Sequence, residues 1–93
     1  MHLDVRAIAS PLGHPRVGLV VPRYAGSAVD RNRLKRRLRE LVRTCLLPAA
    51  PSVDVVIRSR REAYAASFAA LEADIGRAVE QIGRIFGGGR KEE

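Results

Sequence analysis

The sequence predicts an α/β (α+β) fold: a small two-layer sandwich in which two main helices cover one face of a sheet of three or more strands. Three observations predict it. Three short runs place apolar residues at every second position, two longer runs place them at every third or fourth, and the elements follow in the order β-β-α-β-α. With 93 residues, 46% of them hydrophobic, the chain makes one small domain, residues 1–86, followed by a flexible tail over residues 87–93. A chain of this size buries only about 60% of its unfolded surface, so a binding partner can supply part of its stability.

The first strand is read at residues 3–9 (LDVRAIA) and the second at 16–22 (RVGLVVP). The connector SPLGHP, rich in Pro and Gly, reads as a hairpin loop between them. In the second run Val17, Leu19 and Val21 face one side, while Gly18 and Val20 leave the other side small and flat. Pro22 and Gly26 break the pattern. Ser27 and Asp30 then form a Ser-x-x-acid capping signal that starts a helix near Ala28. Leu34, Leu38, Leu41 and Val42 form its apolar stripe, and Pro48 and Pro51 end it by Leu46 or Leu47. A third strand, Ser52 to Arg58, sets Val53, Val55 and Ile57 on one face and Asp54, Val56 and Arg58 on the other. Three strands are the minimum for a stable small sheet. From about Ser67, Phe68, Leu71, Ile75, Val79, Ile82 and Phe86 repeat at helical spacing until Gly87 to Gly89 stop the pattern. If the second and third strands lie parallel, the first helix is their crossover.

Charge is concentrated in that first helix. The run Arg31 to Arg43 (RNRLKRRLRELVR) carries seven positive residues and one negative, within a chain whose formal net charge is +7 and whose pI is about 11.0. Asn32, Lys35, Arg36, Arg39 and Arg43 form a second stripe on the side that remains exposed when the leucines are buried. Such local basicity on a rigid rod is the electrostatic footprint of a polyanion-binding surface. Arginine's planar fork holds a phosphate bidentately while lysine acts as a point charge, and residues one turn apart stand about 5.4 Å apart along the axis. Arg31, Arg33, Lys35, Arg36, Arg39 and Arg43 are therefore the candidate phosphate contacts, with Arg23 just upstream. Asn32 can bridge backbone groups or read a sugar hydroxyl. Arg37 lies near the leucine stripe and can lay its stem across the core. Arg58, Arg60 and Arg61 form a second cluster, for which RNA contact and ordinary solvation both stand.

Other chemistries find little support. Cys45 is the only cysteine and lies on the apolar side of the basic helix, which reads as a packed thiol in a reducing compartment. His2 and His14 have no partner at ligand spacing and read as surface histidines. Tyr64, Phe68 and Phe86 read as core. No Ser/His/Asp set, carboxylate pair or phosphate-cradling glycine loop is present. No apolar run approaches the ~20 residues of a bilayer span, so a soluble, cytoplasmic protein is expected.

Arg31-Asn32-Arg33, followed by Leu34-Lys35-Arg36-Arg37-Leu38-Arg39-Glu40, closely resembles the protein component of bacterial ribonuclease P. The resemblance extends upstream over Arg16-Val17-Gly18-Leu19-Val20-Val21-Pro22-Arg23 and Gly26-Ser27-Ala28-Val29. Downstream it covers Val53-Asp54-Val55-Val56-Ile57-Arg58 and Ser67-Phe68-Ala69-Ala70-Leu71-Glu72, so that residues 3 to about 84 are included. It implies a left-handed β-α-β crossover, against the usual preference. It also implies a subunit that binds the catalytic RNA and assists removal of the 5′ leader from precursor tRNA. Catalysis would rest with the RNA and with Mg²⁺ held mainly by the RNA, with no catalytic or metal-binding residue in the protein, no membrane and no obligate protein partner. Similar proteins begin with a helix and a basic, aromatic-containing segment that this chain, starting at Met1-His2-Leu3, is expected to lack, leaving part of a leader-binding cleft missing. Tyr24 stands where a lysine is common in the family; it can stack on a base or cover the helix entrance. The rival readings are a ribosomal or regulatory RNA-binding protein and a DNA-binding module, the latter weakened because no second helix of a helix-turn-helix precedes the basic one.

Overall fold

Every second residue of the third strand is a branched apolar side chain, and that strand occupies the centre of the sheet. In the computed structural model, which describes residues 2–23 and 27–86, β1 (Leu3–Ala9), β2 (Arg16–Val20) and β3 (Val53–Ser59) form one sheet of order β1-β3-β2. β1 runs antiparallel to β3 with Val5 opposite Ile57, and β2 runs parallel to β3 with Val17 opposite Val55. Val53, Val55 and Ile57 are at most 1% exposed and face the helices, while Val56 on the opposite side is 47% exposed.

The expected β1–β2 hairpin does not form. β3 lies between the two strands, so the connector spans two strand spacings, about 10 Å, in place of a tight turn. Burial agrees with this order: every helix-side residue of β3 is buried, whereas those of β1 and β2, at the rim, are mostly only partly covered.

β2 and β3 are parallel, which meets the condition left open by the sequence and makes the segment between them a crossover. Its helix, α1 (Ala28–Leu41), starts at Ser27, whose hydroxyl accepts from the Asp30 N–H at 3.1 Å. Leu34, Leu38 and Leu41 are buried. A π-helical segment, Val42–Leu46, extends the helix and is closed by the Leu47 N–H donating to the Val42 carbonyl at 2.9 Å. On a continuing α-helix Leu46 would stand about 120° round from Leu34 and Cys45 would hold the centre of the stripe. The extra residue in the wider turn brings Leu46 fully inside and leaves Cys45 half-buried at the margin.

After β3, a short 3-10 helix, Arg61–Ala65, leads into α2 (Phe68–Phe86), whose first turn is capped by Ser67 Oγ accepting from the Ala70 N–H at 3.1 Å. Periodicity did not signal the 3-10 helix, which is too short to show one. Leu71, Ile75, Ala78 and Ile82 close the core over Leu3, Val55 and Ile57. Tyr64 and Phe86 pack against this core as expected, but Phe68, at the first position of α2, is 40% exposed and lies outside it. His2 is also more than a surface histidine. Its backbone N–H and its ring Nδ1 both lie within 2.9 Å of Asp74 Oδ2, on the buried side of α2, and tie the start of β1 to the middle of that helix. Tyr24 and the proposed tail, with the glycines expected to stop α2, lie outside the described residues.

Candidate nucleic-acid interface

Because its leucines are committed to the core, α1 must present its remaining side chains to solvent. Asn32, Arg33, Arg36 and Arg39 are exposed, as is Arg43 in the π segment; Lys35 and Arg37 are half-buried. The two acidic residues of the helix stand near its ends: Glu40 Oε2 bonds Arg43 at 2.7 Å, and Asp30 lies 3.7 Å from Arg33. Among the described residues, Lys35, Arg36, Arg37 and Arg39 form no ion pair, so the middle of the helix carries concentrated, uncompensated positive charge.

Arg31 differs from the others. It is half-buried, and its Nε donates to the Val21 carbonyl at 2.9 Å. The Tyr64 hydroxyl donates to the neighbouring Pro22 carbonyl, also at 2.9 Å. Two consecutive carbonyls at the exit of β2 are thus held by side chains from two elements. Arg31→Ala is expected to remove one of these bonds and lower stability by about 1 kcal/mol, whereas Arg33→Ala leaves the thermal midpoint nearly unchanged. Thermal unfolding of the two variants side by side checks this.

The second surface is the face of the sheet turned away from the helices. The register aligns three cross-strand rows there: Asp4, Arg58 and Val20; Arg6, Val56 and Gly18; Ile8, Asp54 and Arg16. Asp54 receives both Nε and Nη2 of Arg16, at 2.9 and 2.8 Å, and Asp4 receives Arg60 Nε at 2.9 Å. The hydrogen bond from Arg16 holds the Asp54 carboxyl below its ordinary range, and that from Arg60 does the same for Asp4. The partner guanidinium groups are pushed up correspondingly. Both carboxylates therefore stay ionised and matched to one arginine each, while Arg6 and Arg58 supply the surplus positive charge. A depression of about 140 Å³ lies between these two, lined by Val20, Val56, Asp4, Arg6 and Arg58. An apolar floor between guanidinium groups can receive a base by stacking while its phosphate is held by an arginine fork.

The topology joins the two surfaces at one end. Val20 and Arg58 lie at the carboxyl ends of parallel strands, and α1 begins where β2 leaves the sheet, at the Val21–Arg31 bond. Arg23, Arg31, Asn32, Arg33, Arg58 and Arg60 thus gather at this end. Arg39 lies further along α1, and Arg43 in the π segment that follows, as the chain runs back toward the start of β3. Of the second arginine cluster read from the sequence, Arg58 belongs to β3 itself, Arg60 is bound to Asp4, and Arg61 opens the 3-10 helix. Arg6, Arg16, Asp4 and Asp54 were not anticipated as site residues. The alternation Leu3-Asp4-Val5-Arg6 held the signal, since it sets both charges on the outer face. Among the described residues no group of three or more histidine, cysteine or acidic side chains gathers to hold a metal ion, and no helix is long and apolar enough to cross a membrane.

Comparison with known proteins places this arrangement. A family model described as Ribonuclease P matches residues 1–83. The ribonuclease P protein component of Brucella suis is 39% identical over 79 residues, 84% of this chain and 56% of that protein. That of Thermus scotoductus is 43% identical over 75 residues, covering 81% of this chain and 44% of its own length. The chain spans about half the length of the curated relatives it matches. Among solved structures, the RNase P protein of Thermotoga maritima superimposes with a TM-score of 0.76 at 28% identity, over 87% of this chain and 79% of that one. The Staphylococcus aureus RNase P protein, with a TM-score of 0.68 and 24% identity, shares the fold. The mixed three-stranded sheet, the capped basic helix that crosses between its parallel strands and the match over residues 1–83 lead to one conclusion: the chain belongs to the ribonuclease P protein family.

Proposed function

We propose that this chain acts as the protein subunit of a ribonucleoprotein ribonuclease P, binding the catalytic RNA and assisting removal of the 5′ leader from precursor tRNA. The observation that carries the reading is the uncompensated basic stripe of α1, a helix that starts where β2 leaves the sheet, at the same end as Arg58 on the open face. In this reading α1 grips the RNA backbone through Arg33, Lys35, Arg36, Arg39 and Arg43, with Asn32 at a sugar or backbone group. Neutralised phosphates repel each other less, so the folded RNA holds its Mg²⁺ at a lower concentration of the free ion. The open face, with Arg6 and Arg58 above Val20 and Val56, receives the single-stranded leader, whose bases lie against the apolar floor. The RNA performs the cleavage; the protein contributes position and charge.

Reconstitution tests the proposal. The protein is mixed with ribonuclease P RNA and precursor tRNA at a Mg²⁺ concentration too low for the RNA alone, and release of the 5′ leader is followed. Added protein is expected to restore cleavage. Binding to the RNA without any stimulation, at every protein concentration, would leave a non-catalytic RNA-binding protein and end this reading.

A further inference from the structure

The outer edge of β1 is seven residues long, contains no proline, and pairs with no strand among the described residues. Its hydrogen-bonding groups can be assigned. Arg60 donates to the His2 carbonyl and Ser10 donates to the Ser52 carbonyl, so the even-numbered residues of β1 turn their N–H and C=O toward β3. Leu3, Val5, Ala7 and Ala9 therefore direct theirs outward. The other rim offers less. β2 has five residues and contains Gly18, Pro22 follows it closely, and the Val21 carbonyl beside it is already taken by Arg31. Alongside β1, on the helix side, runs a largely apolar groove of about 300 Å³ lined by Val5, Ala7, Ala78, Ile82, Ile85 and Phe86, with Gln81 as its one polar side chain. Ile85 is 72% exposed there, and Ile8, on the other face of the strand, is 66% exposed.

We propose that this edge is an interface for a second copy of the same chain, the two β1 strands pairing antiparallel about a twofold axis at Val5. Charge selects both the partner and the register. With Val5 opposite Val5, Leu3 meets Ala7, and Asp4, which also holds Arg60 of its own chain, meets Arg6 of the other copy, twice, at non-hydrogen-bonded positions where side chains approach most closely. Sliding the strands by two residues in either direction sets Asp4 against Asp4 or Arg6 against Arg6. The favoured register also brings outward-facing residues opposite one another, giving about six main-chain hydrogen bonds and a continuous six-stranded sheet. On the helix side the two grooves meet at the axis and cover each other's Ile85. The proposal stands apart from the RNA-binding reading, since it concerns the protein without RNA.

Sedimentation equilibrium of the whole chain over a range of concentrations, with amide hydrogen exchange at the same concentrations, tests it. A monomer–dimer equilibrium is expected, in which the Leu3, Val5 and Ala7 amides become protected as concentration rises while those of β2 do not. Arg6→Glu sets two acidic residues against each other and is expected to weaken the dimer roughly tenfold. Val5→Pro removes an outward N–H without touching the β1–β3 bonds and is expected to give a monomer with unchanged far-ultraviolet circular dichroism. Should the proline variant fail to fold, the Arg6→Glu comparison decides. A monomer at every concentration would overturn the proposal, and so would a dimer that Arg6→Glu leaves at full strength.

Discussion

Replacing Asp74 by alanine lowers the thermal midpoint by roughly 6–24 °C, as followed by circular dichroism at neutral pH. The side chain is 1% exposed and accepts from three donors: the His2 backbone N–H at 2.8 Å, His2 Nδ1 at 2.9 Å, and Arg77. An ionised carboxylate can only accept, so the proton of the His2 ring sits on Nδ1. Alanine would leave the His2 N–H and ring without their acceptor, while the Arg77 guanidinium, 58% exposed, turns to solvent. Losing hydrogen bonds to a charged acceptor costs about 1.5–3 kcal/mol, and each kcal/mol moves the midpoint of a domain this small by about 4–8 °C. Acidity gives a second readout. Burial opposes ionisation of Asp74, but the His2 backbone N–H and imidazole, with Arg77 nearby, outweigh it and hold the carboxyl below its ordinary value. A carboxyl more acidic in the folded chain than in the unfolded one stabilises the fold above about pH 4, and that contribution disappears as the pH falls through the folded-state value. The urea midpoint of the native protein should therefore drop below about pH 4, and that of Asp74→Asn should drop less over the same range. An acid profile identical in the two proteins would show that Asp74 is not the linked group.

Substituting Arg33, Arg36 and Arg39 together by alanine weakens binding to ribonuclease P RNA on the order of a hundredfold at 0.1 M salt, and lowers the slope of log affinity against log salt by about 2. Each phosphate contact contributes roughly 0.7 to 0.9 to that slope, so three contacts at 0.1 M are together worth about two powers of ten. All three side chains are exposed on the free surface of α1, and Leu34 and Leu38 keep their places in the core. The thermal midpoint should hold or rise slightly as like charges are removed from one helix. Filter binding at several salt concentrations reads both quantities. A slope that does not change would show that these arginines are solvated and bind no phosphate.

How much of this was legible depended on the distance over which each feature is specified. Ser27 and Asp30, Leu34 and Leu38, and the alternation of β3 act over a few residues, and the helix start, its buried stripe and the central strand's two faces followed from them directly. Strand order did not follow. A period of two identifies a strand and is silent about its neighbour, so the Pro- and Gly-rich connector suggested a hairpin where β3 in fact intervenes. The open face was legible only in halves: Arg6 and Arg58 could be assigned to outer faces, but the pairing of Asp4 with Arg60, 56 residues away, needed the sheet itself. Arg31 shows the same limit. Its spacing placed it among the phosphate ligands, and only the fold shows its Nε already committed to Val21. The π turn was hidden because its signals, Leu46 and Pro48, are equally consistent with an α-helix that simply stops.

The paired carbonyls of Val21 and Pro22, fastened by Arg31 of α1 and Tyr64 of the 3-10 helix, bear on how an RNA would meet this protein. A basic segment on a loose tether must give up its freedom when it docks, and that loss subtracts from affinity. Here the angle between rod and sheet is set before any RNA arrives. The arginines on α1 behave as marks on a ruler, at intervals the protein does not adjust, and in the proposed complex it is the nucleic acid that would come into register with them.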